Sequence, residues 1–176
     1  MKFFRHLKTV CRHRRLVRRN CFKAGIYWQG LTHDLSKFSL KEFVPGVKYF
    51  QGTRSPQARE RELFGYSAAW LHHKGKNKHH FEYWTDYANG KKVYVEMPPK
   101  YLAEMICDRI AASKTYLKDG YDKSFPLKYL EEHTDKEGMN PNTYAALRNF
   151  LTILKEEGED EMFKQLKKFV KESRKK

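Results

Sequence analysis

The histidines of this chain are unevenly placed. His33 and Asp34 stand side by side just after an apolar segment, residues 21–31, and His72, His73, His79 and His80 fall within nine residues. Asp108 lies in a stretch whose neighbours Met105, Ile106, Cys107, Ile110, Ala111 and Ala112 are apolar or small. A carboxylate in that setting is costly to bury unless it is paired, hydrogen-bonded or bound to a metal. Imidazoles and carboxylates without a thiolate pattern are the donor set of zinc, iron, manganese and nickel sites. Each piece alone has an ordinary explanation. An inward histidine more often hydrogen-bonds inside a core, a histidine pair can be an exposed basic patch, and Asp108 can pair with an arginine. Together they form a sequential set of metal-ligand types.

The elements that must position these residues read as helices. Over residues 3–20, His6, Val10, His13 and Val17 share one face, so a helix there turns both imidazoles inward and either is a candidate first ligand. Ser39 to Glu42 has the capping-box pattern and opens a short helix disturbed by Pro45 and Gly46. A helix is predicted over 57–73, ended by Gly75. Tyr83, Trp84 and Tyr87, then Asn89-Gly90, then Val93 to Val95, predict a hairpin on an Asn-Gly turn. Pro98-Pro99 suits the first turn of a helix over 100–118, and further helices are predicted over 127–133, 142–156 and 159–172. The fold class is therefore mostly α, one helical domain over 1–176. Its chemistry-bearing core spans about 3–118, the C-terminal helices about 127–172, with one small β-hairpin near 82–96.

Composition sets the class of partner. The formal net charge is +15, which favours anionic ligands: nucleotide phosphates, other phosphorylated small molecules, or nucleic acid. Aromatic residues make up 15%, too many for a disordered chain. No apolar run approaches the roughly 20 residues of a membrane span, so no membrane partner is expected. Cys11, Cys21 and Cys107, odd in number and without CxxC spacing, fit free thiols in a reducing cytoplasm.

Three segments carry a family resemblance. Gly30-Leu31-Thr32-His33-Asp34-Leu35-Ser36-Lys37-Phe38 resembles the "LLHDIGKF" signature of the HD-domain metal-dependent phosphohydrolase superfamily. His13-Arg14-Arg15-Leu16-Val17 resembles its preceding "HSxRV" helix, and Met105 to Ala112, MICDRIAA, its closing "xxADRI" helix. The order H…HD…H/HH…D runs over residues 13–112. With Trp70, Asn77, Trp84 and Glu42-Phe43, the stretch also resembles a group of small bacterial and phage-encoded proteins of unknown function, which brings no activity with it.

The first resemblance implies an HD-type helical bundle in which His13, His33, Asp34 and Asp108 bind one divalent ion. Asp34 would bridge to a second ion, completed by His73 with His79 or His80. The ions would be Mn, Ni, Co, Zn or Fe, one or two per chain. Lys37 takes the place of the lysine in the superfamily's HDxxK variant, and Asp34 and Lys37 are the implied catalytic pair. His13 lies closer to His33 than is usual in the superfamily, the middle histidines are closer together, and the GYP element of cyclic-dinucleotide phosphodiesterases is absent. The expected activity is phosphohydrolase or phosphodiesterase chemistry on a nucleotide or other phosphorylated substrate. Arg14, Arg15, Lys37, Lys74 and Arg109 are candidate phosphate contacts, Lys37 alone with motif support. Two other classes fit the same residues. One is a di-iron oxygenase on the same scaffold. The other is a basic nucleic-acid-binding protein with a structural or degenerate metal site, in which Trp70, Tyr83 and Trp84 would stack on bases.

Overall fold

The first helix, α1 (Lys2–Lys23), turns the predicted stripe inward: His6, Val10, Val17 and Cys21 are buried, with Asn20 beside them. It stops where Gly25 adopts a positive φ of 73°, and α2 (Tyr27–Thr32) folds back along it. Gly30 makes that contact possible. A Cβ there would lie 2.9 Å from the Cys21 Cβ and 3.3 Å from the Arg18 carbonyl, so only glycine lets the two helices approach this closely. A 3-10 turn over Leu35–Phe38 leads into α3 (Leu40–Lys48), which runs on through Pro45.

The sequence predicts one helix over 57–73; the structure holds two, α4 (Pro56–Phe64) and α5 (Ala68–Lys76). Gly65, at φ 77°, ends the first in a left-handed turn, and the Ser67 side chain accepts from the Trp70 N–H to start the second. The capping-box expectation also changes. Ser39 is the N-cap of α3 but makes no side-chain cap bond, and the Glu42 side chain is drawn to His72 and His73.

Strands β1 (Thr85–Ala88) and β2 (Lys91–Tyr94) pair antiparallel, with Thr85 opposite Tyr94 and Ala88 opposite Lys91. Asn89 and Gly90 both take positive φ, 51° and 72°, as a two-residue primed turn requires. The central element is α6 (Pro99–Leu117), buried on nearly every side from Leu102 to Cys107 and again at Ile110 and Ala111. α1 lies along it, tied by Asn20 Nδ2 donating to the Cys107 carbonyl at 3.1 Å. α7 (Phe125–His133), α8 (Pro141–Glu157) and α9 (Glu159–Ser173) pack on α6 from the other side, and α9 also reaches α1. One apolar core runs through all of them, from Val17 to Val170.

This computed structural model describes residues 2–134 and 136–175. The architecture is mostly helical with a single two-stranded hairpin among the described residues. No helix among them is long and apolar enough to cross a membrane.

Candidate metal centre

Four segments converge on Asp34. α2 ends at Thr32, and Arg14 of α1 fastens that end by donating to the carbonyls of His33 at 2.8 Å and Leu31 at 3.3 Å. Asp34 itself takes a left-handed conformation, φ 53° and ψ 30°, tolerated by aspartate at a modest cost and held here by the helix on either side. α1 contributes His13, α6 contributes Asp108, and α5 with the turn after it contributes His73, His79 and His80.

The two oxygens of Asp34 face two groups of nitrogens. Oδ1 lies 3.4 Å from His73 Nε2 and 3.5 Å from His79 Nε2, with His80 in the same group. Oδ2 lies 3.5 Å from His33 Nε2, which is 3.6 Å from Asp108 Oδ1; that oxygen is 2.9 Å from His13 Nε2. In each group, Asp34-His73-His79-His80 and His13-His33-Asp34, the donor atoms lie within 4.8 Å of one another. An ion with ligands at about 2.1 Å in tetrahedral array separates those ligands by about 3.4 Å. Good N–H···O bonds are shorter, about 2.7–3.2 Å. The spacing around Asp34 therefore suits a central cation better than direct hydrogen bonds.

The buried polar atoms tell the same story. Among the described residues, His33 Nε2, Asp34 Oδ1, His79 Nε2 and His80 Nε2 are sealed from solvent with no hydrogen-bond partner. Leaving such groups unsatisfied costs about 1–3 kcal/mol each, so four of them gathered around Asp34 suit a cation there. The donor set fits a divalent transition ion.

The opposite edges of the imidazoles are fixed. Glu104 Oε1 accepts from His33 Nδ1 at 2.9 Å and from His79 Nδ1 at 3.2 Å, so one carboxylate sets the tautomer of an imidazole in each group. Glu42 Oε2 does the same for His73 Nδ1 at 2.7 Å, while its Oε1 accepts from His72 Nδ1 at 2.8 Å. Carboxylates behind metal-binding imidazoles orient the ring and raise its basicity.

Charge is tightly coupled here. Burial alone would lower His33, but Asp34, Asp108 and Glu104 hold it well above the usual imidazole range. Burial would raise Asp34 and Asp108; instead the imidazoles, together with Lys37 beside Asp34, keep both carboxyls well below the usual carboxylate range. His80 is pushed far down by burial and by His79 and His73, so it stays neutral with a lone pair to offer. Lys37 Nζ sits 3.3 Å from Asp34 Oδ2.

Several expectations change. His6 belongs to neither group and His72 is turned away to Glu42, so His13 and His73 are the members that converge. Of the five candidate phosphate contacts, only Lys37 lines the cavity over the site. Arg14 is committed to the end of α2, and Arg109 is half-buried near Thr134 and Glu82. Trp84 packs against Tyr101 beside the core rather than standing free to stack on a base. Glu104 and Glu42 are not among the sequence-predicted site residues. Glu104 carried a signal, since it lies one turn before Asp108 in the same buried stretch.

Neither the curated proteins nor the solved structures contain a match to this chain. A family model does match, over residues 2–153, which includes every residue of the centre. The chain belongs to the family of unknown function DUF5662.

Proposed function

We propose that the chain is a metal-dependent phosphohydrolase of the HD-domain type, acting on a phosphorylated anionic substrate such as a nucleotide. One observation carries this: the single carboxylate of Asp34 presents each oxygen to a separate imidazole group, as a ligand shared by two ions would. His13, His33, Asp34 and Asp108 would hold one ion and Asp34, His73, His79 and His80 the other. Divalent ions bound there supply an acidified water and polarise a phosphoryl oxygen.

The chain's own groups do the rest. Glu104 and Glu42 accept from Nδ1 of the imidazoles and hold the rings with Nε2 turned toward the site. Lys37 lines the cavity and offers its ammonium to the charge that gathers on the phosphoryl oxygens. Asp34 and Asp108 hold negative charge beneath the site at neutral pH. The flanking stretch 2–48 is strongly positive: its only carboxylates, Asp34 and Glu42, are both buried while twelve Lys and Arg are spread along it. Such a flank draws anions in.

The test is turnover of phosphate mono- and diesters by protein stripped of metal and then reloaded with Mn, Ni, Co, Zn or Fe. Turnover that appears on reloading and vanishes in Asp34→Asn is expected; asparagine tolerates the left-handed backbone, so the fold survives. A folded, fully loaded protein that turns over no phosphate ester contradicts the proposal. Oxygen consumption by the iron form alone would point to the oxygenase instead.

A further inference from the structure

We infer that the substrate is a small phosphomonoester bearing one anionic group, and that His6 contacts its uncharged part. This rests on the hydrolase proposal and narrows it. The cavity above the two groups has a volume of about 170 Å³ and is open to solvent on one side. A dry cavity of about 150 Å³ holds a benzene, whereas common ligand pockets run to about 300–1,000 Å³. Beyond the phosphoryl group there is room for little more than one small ring or a short chain.

The wall says the same about charge. Polyphosphates are held by several cations, each neutralising part of the chain of phosphates. Lys37 is the sole Lys or Arg among the residues that line this cavity. The nearest guanidiniums stack on its aromatic walls without lining it, Arg61 at 5.1 Å from the Trp70 ring and Arg5 at 5.9 Å from Phe50. Away from the metal groups and Glu42, the remaining wall is apolar or neutral, with Thr9, Ser55, Gln57 and Tyr116 among its polar members.

His6 completes that wall. It lies on the same α1 stripe as His13, is 6% exposed, and is wedged against Phe43 and Phe50 with ring centroids at 5.3 and 5.5 Å. Gly46 makes space for it: any Cβ there would collide with His6 Nε2. Its Nδ1 is buried with no hydrogen-bond partner among the described residues, an expensive state that a substrate hydroxyl or amide would relieve. Burial and then Lys37 bring its pKa down to about 4, so at neutral pH it is an uncharged partner.

The experiment compares phenyl phosphate and glycerol phosphate with ATP and a ten-residue oligothymidylate, all on metal-loaded protein. The small esters are expected to exceed the others in kcat/KM by about 100-fold. His6→Gln and His6→Asn should each raise KM for the small esters about tenfold, with metal content and kcat little changed. Faster or equal turnover of ATP or the oligonucleotide overturns this inference and leaves the hydrolase proposal standing. Absence of turnover with every substrate, on loaded protein, overturns the proposal beneath it. An unchanged KM in both His6 variants, folded and loaded, removes His6 from the substrate's surroundings.

Discussion

Glu104 is the place to perturb the centre without removing a ligand. Its Oε1 accepts from His33 at 2.9 Å and from His79 at 3.2 Å, one imidazole from each group. Glu104→Gln keeps an acceptor of the same shape but removes the charge, and charge-assisted bonds are roughly twice as strong as neutral ones. Glu104→Ala removes the acceptor altogether. Groups of this kind change metal affinity by about 10–100-fold, or about 1.4–2.7 kcal/mol. The glutamine variant should therefore bind each of two ions about tenfold more weakly, and the alanine variant about 100-fold. Glu42→Gln supplies the contrast: it faces only His73 among the converging imidazoles, so it should weaken one ion and spare the other. Competition with a chromophoric chelator resolves the two steps, with circular dichroism confirming that each variant is folded. Unchanged affinity for both ions in folded Glu104→Ala would refute the idea that this carboxylate orients the site.

Other predictions follow from the same geometry. Metal-free His33 is held protonated at neutral pH by its carboxylates, and an imidazole must lose its proton to bind an ion. Calorimetric titration at pH 7 in buffers of different ionisation enthalpy should show about one proton or more released per chain, with affinity falling as pH is lowered; a buffer-independent heat contradicts this. Gly30→Ala should cost about 1–3 kcal/mol of stability by forcing α2 off α1, and should weaken metal binding because α2 delivers His33 and Asp34; denaturant melts and the chelator assay check both. His6, with its folded pKa near 4 against 6.5 unfolded, contributes stability that is present above pH 6.5 and lost as pH falls toward 4. The wild type should lose stability over that window more steeply than His6→Gln, and parallel curves would count against it.

How much was legible depends on whether the signal was local. The α1 stripe, the Asn89-Gly90 turn and the Pro98-Pro99 helix start follow from spacing and turn chemistry, and the structure has them. The convergence of His13, His33, Asp34, His73 and Asp108 follows the order noted in the chain. Which other middle histidine joins them was not legible, because it depends on the turn after α5. There Asn77 donates to Ser36 Oγ and the His73 carbonyl, both at 2.8 Å, and brings His79 and His80 together beside Asp34. Glu42 was misread because Ser-x-x-Glu has a local use as a cap, and only the tertiary fold shows two histidines competing for it. Arg14 was misread for the same reason: its backbone partners lie 17 and 19 residues away.

The central claim is that one carboxylate serves two ions. Elemental analysis of chelator-stripped, reloaded and desalted protein tests it most directly, on the wild type beside Asp34→Asn. Two transition-metal ions per wild-type chain and nearly none in the variant are expected, because Asp34 belongs to both groups. A wild type that retains fewer than two ions, or a variant that still retains two, would contradict it.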